Sequence, residues 1–439
     1  MGNVSATVER QGCGVINRVR WQYRHRRVWR IPAAIVAGAL LLAWAVPALD
    51  RALAEEFARV PVLGTFDAGV MATVLSSVAS GTITFSGFVF SVVLLVIQFG
   101  TASMSARWAP RLTQDWVLGA ALGTFMATFT YSLLISVRLG ARVEDYQPVL
   151  SSIVAVGLAL ASVVLFFALL TRVVNFLRLV KSLDYVGRVG MRTAAHVHPD
   201  PFGTQRDPAP DADNPDRVIR CVGRGGVLLG IDTEPVAALA AAAGVRITLL
   251  PAIGDYVLPD APLFAVHGGS DIDARRLRRH VVFGIERVVD ADPAFALRVM
   301  VDMAIKALSP AINDPTTATQ ALDHIGALLL DLAGRDLGVT VVRDENEVVR
   351  LVLRNSDWVD YLALAVDEIR YYGASSLQVV RRLRALYSDL LRLCPAARLP
   401  SVAERLAALE ADIPANFRTA LDRANAGRPD WQGLGGPAA

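Results

Sequence analysis

Cysteine is almost missing from this chain, and lysine is rarer still. Cys13, Cys221 and Cys394 stand far apart, and no Cys-x-x-Cys occurs. Neither a disulfide framework nor a thiolate metal site is indicated, and no cofactor is implied. Lys181 and Lys306 are the only lysines among 44 basic residues; arginine supplies the rest. Set against 41 acidic residues, this leaves a formal net charge of +3, too small for a nucleic-acid footprint. No Ser-His-Asp order or nucleophile elbow stands out, and Gly223–Gly230 is too irregular for a dinucleotide fingerprint. His280 and His324 are isolated and read as structural or surface residues.

In the N-terminal third, charge itself is scarce. Ile31–Leu49, Val70–Gln98, Val117–Val137 and Val149–Thr171 contain no Asp, Glu, Lys, Arg or His. About 20 apolar residues suffice to cross a hydrocarbon core, so each is long enough to span one. The second lies in a charge-free stretch, Ala68–Ala106, too long for one upright span. It must tilt, break near Gly81 or Gly87, or run on past the bilayer. "ALA" at Ala52–Ala54 resembles a signal cleavage site, but the run before it is too long and three more spans follow, so a retained helix is expected.

Arginine counts give an orientation. Seven precede the first span: Arg10, Arg18, Arg20, Arg24, Arg26, Arg27 and Arg30. With the second loop and the residues after the fourth span, one side carries fourteen basic residues and the other four. The expectation is a bacterial inner-membrane protein with both termini cytoplasmic. Trp21, Trp29, Trp108 and Trp116 fall at the inner boundary, where aromatic belts sit.

Two spans carry polar or small residues at helical spacing. Ser76, Ser80, Thr84, Gly87 and Ser91 share one face of the second, with Gln98 one heptad on. The third has Gly119 and Gly123 as a small-xxx-small pair, with Thr124, Thr128 and Tyr131 alongside. These faces read either as close helix packing or as the lining of a passage in a homo-oligomer. No intramembrane carboxylate is present for a proton relay.

The remainder has globular patterning. Arg172–Val197 keeps helical periodicity and reads as a span extension or a helix on the inner leaflet; His198–Asp216 is Pro/Asp-rich and reads as a linker. Residues 217–290 suggest a small β-rich subdomain, in which "RVIRCV" and "GGVLLGID" look like a strand pair. The Gly-Asp hairpin that follows resembles those of small biotinyl- or lipoyl-type barrels, but no lysine is placed for a swinging arm. Residues 291–426 read as mainly helical with one hairpin turning at Asp344–Asn346, and 427–439 as a disordered tail. The expected fold is thus a membrane α-helical part of four transmembrane helices plus a cytoplasmic α+β domain with a small β-barrel-like hairpin part and a helical part.

The stretch Ala307–Thr319, "ALSPAINDPTTAT", separates two apolar helices. Pro310 ends the first, and Asp314 is placed to cap the second with Pro315 at its first position. Ser309 and Asn313 are turn residues. The alternative is a ligand pocket built from Ser309, Asn313, Asp314, Thr316, Thr317, Lys306 and Arg287, with Asp302, Asp290 and Asp292 nearby in sequence. The Asp314 carboxylate there would favour a cation or a neutral ligand over an anion.

"ALSPAINDPTTA" (Ala307–Ala318), "GDYV…PLFAV", "FSGFVFSVVLLVIQFG" and "LGTFMATFTYSLL" together resemble the bacterial predicted-membrane-protein family known as domain of unknown function 2254, over nearly the whole chain. The resemblance implies an integral membrane protein and assigns no catalytic residue. Three functions compete: a homo-oligomeric passage for ions or small solutes, a membrane-tethered ligand-sensing or scaffold protein, and a membrane-bound enzyme. Lipid and a second copy are the expected partners.

Overall fold

The computed structural model describes residues 29–53, 68–103, 115–140, 148–204, 214–269 and 271–436. Cys13, the arginine arm before Arg30, Trp21, Trp108, Arg59, Arg107, Arg111, Arg142 and the middle of the expected linker lie outside them. The chain divides into two compact units, one within 26–178 and the other from Leu179 onward.

The first unit is a helical bundle: α1 (Arg30–Ala52), α2 (Ala68–Ser103), α3 (Trp116–Gly140) and α4 (Val149–Leu177). Among the described residues these are the four helices long and apolar enough to cross a membrane. Lipid offers no hydrogen bonds, so a charge-free run must satisfy its backbone within its own helix. α3 is the central helix, packing on all three others and mostly buried, whereas the others are mostly exposed. α2 is one 36-residue helix, unbroken at Gly81 and Gly87. At 1.5 Å per residue it is roughly 54 Å long, well beyond a ~30 Å hydrocarbon core.

The second unit opens with α5 (Leu179–Val197), whose buried face includes Leu183, Val186 and Gly190. A Cβ on Gly190 would lie 2.8 Å from side-chain atoms of Ala296 and Leu328, so α5 packs tightly into this unit's own helices. In chain order follow β1 (Arg217–Arg220), β2 (Gly226–Ile231), α6 (Thr233–Ala242), β3 (Arg246–Leu249), β4 (Tyr256–Val257), β5 (Pro262–His267), α7 (Ala274–Arg279), β6 (Val281–Gly284), α8 (Pro293–Ala307), α9 (Pro315–Ala333), β7 (Val339–Arg343), β8 (Val349–Arg354), α10 (Trp358–Gly373), α11 (Leu377–Leu393), α12 (Leu399–Asn416) and α13 (Ala420–Ala426).

The expected barrel does not close. The strands form a five-stranded sheet, β1-β5-β3-β8-β7, and a three-stranded sheet, β4-β2-β6. β1 and β2 do not pair: β1 runs antiparallel to β5, and β2 lies between β4 and β6. The β7–β8 hairpin, turning where Asp344 Oδ1 accepts the N–H groups of Asn346 and Val348, joins the larger sheet parallel to β3. Leu351 and Leu353 thereby enter the same core as Ile247, Leu249 and Phe264.

Two stretches expected to be loose are built in. His198–Thr204 is held by Phe202 N–H on the Gly334 carbonyl and by Asp336, which accepts the N–H groups of Gly203 and Thr204. The tail is docked as far as Gly436. Asp430, 5% exposed, accepts three backbone N–H groups from Gln432, Gly433 and Gly435. Arg381, 4% exposed, donates to the carbonyls of Arg428, Gly435 and Gly436.

Candidate functional site

On α2, Ser76, Ser80, Thr84, Gly87 and Ser91 are all exposed, as is Gln98. The buried face of that helix is Leu75, Ala79, Thr82, Ser86, Val89 and Val93. At about 100° per residue the two sets lie on roughly opposite sides of the helix. The polar stripe therefore turns away from its own bundle. Its hydroxyls bond one turn back, Thr84 to the Ser80 carbonyl (2.9 Å) and Ser91 to that of Gly87 (3.0 Å), which lowers their cost in lipid.

On α3 the expected face packs inward. A Cβ on Gly123 would lie 2.9 Å from the Pro32 Cα, and one on Gly119 would lie 3.5 Å from the Ile31 Cβ; glycine lets α1 approach this closely. Thr128 is fully buried, donating to the Thr124 carbonyl (2.7 Å) and lying 3.1 Å from the Ser162 hydroxyl of α4. Tyr131 OH donates to the Ser151 carbonyl at 3.2 Å.

Asp50, in the last turn of α1, escaped the sequence reading. It is 1% exposed and caps α4 from another helix: its oxygens accept the N–H groups of Leu150 (2.7 Å) and Ser151 (3.2 Å) and the Ser151 hydroxyl (2.6 Å). Pro148, at the cap position of α4, has no side chain for that task, and orphan helix-terminal donors need a partner. At the other end of the bundle Asp115 accepts the Val117 N–H (2.8 Å) and lies 3.9 Å from Arg172 Nε.

In the second unit the 307–319 stretch is a turn plus a cap. Ser309 Oγ donates to the Lys306 carbonyl (2.7 Å), and the Ser309 carbonyl accepts from Ile312 and Asn313 (3.0 and 2.8 Å). Asn313 has φ +48°, a left-handed conformation that Asn tolerates. Asp314 accepts the Thr317 N–H (3.0 Å) and hydroxyl (2.6 Å), with Pro315 at the first helical position. Thr316 is exposed beside Gln378, whose amide also donates to the Gly433 carbonyl of the tail.

Arg287 does not join that group. It lies by Gly254 and Asp292, and Asp292 caps the start of α8 through the Ala294 N–H (2.8 Å). The loop leaves the far end of the same helix, about 22 Å away at 1.5 Å per residue. Asp302 accepts from Arg298, which also grips both oxygens of Glu368. Burial raises the Asp292 carboxyl to about 6, with Arg287 opposing. Gly254 has φ +99°, and a Cβ there would meet Asp292 Oδ2 at 2.6 Å, so glycine is required on both counts. His198, 3.0 Å from Tyr361 OH, is lowered to about 4 by burial and by Arg335.

Four helices long and apolar enough to cross a membrane, together with a mixed helical and two-sheet unit, are the features of a membrane protein. The family profile described as Predicted membrane protein (DUF2254) matches residues 25–389, and the chain belongs to that family. An uncharacterized protein of Mycobacterium tuberculosis (strain H37Rv) and one of Mycobacterium bovis are each 30% identical to it over 373 residues, covering 80% of this chain and 70% of theirs. No solved structure matches it.

Proposed function

We propose that this protein is a homo-oligomeric passage for ions or small solutes, its second spans facing a common axis and its cytoplasmic unit acting as the gate. The single observation that carries this reading is the outward stripe of α2. Four hydroxyls and one glycine, repeating at helical spacing from Ser76 to Ser91, leave a shallow polar groove between bulky exposed neighbours such as Phe88 and Phe90. Lipid tails fill such a groove poorly, whereas a second α2 or a file of solute fits it.

In a cysteine-free background, Ser80→Cys and Ser91→Cys should form disulfide-linked dimers in the native membrane, while Val89→Cys on the buried face should not. Flux through liposomes should fall with Thr84→Val. Absence of cross-links at every stripe position, or flux indifferent to the stripe, overturns the proposal.

A second reading, a ligand-sensing or scaffold protein, draws on the docked tail, which seats on Gln378 and Arg382 beside Thr316. It expects faster hydrogen exchange at Thr316–Thr319 when the chain is shortened after Gly427. Unchanged exchange would argue against it.

A further inference from the structure

The membrane unit holds a second set of hydroxyls, inside the bundle. Thr124, Thr128, Ser132 and Ser136 recur every four residues along α3. The first three are at least nine-tenths buried, Thr128 and Ser132 at 0% exposure. Thr128 meets Ser162, and Tyr131 meets Ser151. These two contacts fix an antiparallel register that carries the file toward the start of α4, where Asp50 caps the helix.

The hydroxyls of Ser132, Ser136 and Ser152 are buried, and among the described residues no group bonds to them. Serines in spanning helices ordinarily bond one turn back, as Ser86 does to the Thr82 carbonyl at 2.6 Å. A buried hydroxyl without a partner is costly, and most costly where lipid surrounds the protein. Directly below the file the interior changes character. Phe125, next to Thr124, meets Phe85 edge to face at 5.5 Å, and Phe85 meets Phe166 at 4.8 Å. Apolar side chains such as Val89, Val93, Ala121 and Leu169 continue from there.

We propose that water occupies the α3 hydroxyl file inside each bundle, entering at the end where α1 finishes and α4 begins, and that the Phe85–Phe125–Phe166 cluster closes it. Water suits these groups because each hydroxyl both donates and accepts. A bare cation suits them less, since the nearby Asp50 carboxylate is already engaged by two N–H groups and a hydroxyl. The file belongs to one chain, so it stands whether or not the α2 stripes meet.

The test uses full-length protein in nanodiscs, with Cys13, Cys221 and Cys394 replaced by serine. A thiol reacts with a small methanethiosulfonate only where water lets it ionise. Ser132→Cys should react at least ~10-fold faster than Ala127→Cys, an equally buried apolar control. Adding Phe125→Ala should raise the reactivity of Ala121→Cys by a similar factor. Ser132→Cys reacting no faster than Ala127→Cys overturns the proposal.

The melting temperature of Ser132→Ala gives an independent check. Removing a hydrated hydroxyl lowers it; removing a dry orphan raises it or leaves it unchanged, and either of the latter results overturns the proposal. Ser80→Cys cross-linking is unaffected by all of this, so failure here and failure of the oligomeric passage remain separable.

Discussion

The two units partner most of their buried polar groups by different chemistry. In the membrane unit the means are hydroxyls bonded one turn back and two aspartates at helix starts. In the second unit they are guanidinium groups. Arg298 joins Asp302 to Glu368, Arg405 holds Asp367, Arg370 holds Asp412, and Arg381 gathers three carbonyls of the tail. A guanidinium stays ionised and is costly to bury in hydrocarbon, whereas a hydroxyl is neutral and finds an acceptor on its own helix. Of the two carboxylates Asp50 is the more deeply buried, and it should be the most sensitive residue of the first unit.

Asp50→Ala leaves two backbone N–H donors of α4 without their carboxylate acceptor and the Ser151 hydroxyl without this partner. Hydrogen bonds to a charged acceptor contribute roughly 1.5–3 kcal/mol each, and a buried network shares them, so the expected loss is about 4 kcal/mol. Thermal unfolding in detergent or lipid nanodiscs measures it. Asp50→Asn, which keeps acceptors but loses charge, should fall between the two. A melting temperature within a degree of wild type for Asp50→Ala would remove the distinction drawn between the units.

In the second unit the next largest effects depend on pH and oppose each other. The Asp292 pKa is raised from 3.8 to about 6, so the folded state binds the extra proton. Its stabilisation is full below 3.8 and is lost as pH rises through 6. The His198 pKa is lowered from 6.5 to about 4, and its stabilisation is present above 6.5 and lost as pH falls through 4. Each shift corresponds to about 3 kcal/mol, so wild type should show a flat profile between these values. Asp292→Asn should leave a melting temperature that falls on acidification, and His198→Gln one that rises. Parallel slopes in the two variants would contradict the burial argument.

Arg381→Met keeps most of the packing volume but removes the donors for Arg428, Gly435 and Gly436. About 2 kcal/mol should be lost. Chymotrypsin should then cut faster at Trp431, while the membrane unit is unaffected.

What the sequence makes legible follows the range of the interaction. The four spans are readable because a charge-free run of that length has few other solutions, and the Asp314 cap because Asp-Pro-Thr-Thr contains both donor and acceptor. Periodicity placed Ser76 to Ser91 on one face, but it carries no information on which face packs, and the packed one proved to be that of Thr82 and Ser86. Asp50 was invisible because its partner, Ser151, is 101 residues away. β1 paired with β5, and β3 took β8 as a neighbour, because register is decided by a core that distant segments share. Arg287 was grouped with the 307–319 loop by nearness in sequence, and a 15-residue helix separates them. The tail read as disordered from its glycines. Two of them, Gly433 and Gly435, have positive φ and curl the backbone so that their N–H groups meet Asp430.

The smallest expected effect decides between the two accounts of the 307–319 stretch. As a cap, Asp314 accepts one N–H and one hydroxyl at a half-buried helix start. Asp314→Ala should then cost about 1 kcal/mol, and Asp314→Ser or Asp314→Asn, which also cap, only a few tenths. Asp50→Ala would exceed it severalfold, although both carboxylates cap a helix, because one does so within its own chain turn near solvent and the other between two helices in the bundle interior. A pocket that holds a ligand behaves differently: Asp314→Ser would keep the melting temperature of the isolated protein but lose whatever stabilisation a bound cation or hydroxylated compound adds. Melting curves of wild type and Asp314→Ser across a panel of metal ions and small polyols separate the cases. A shift in wild type that Asp314→Ser abolishes would make the stretch a binding site, and coincident curves leave it a helix start whose prolines, threonines and aspartate are all accounted for by the turn they make.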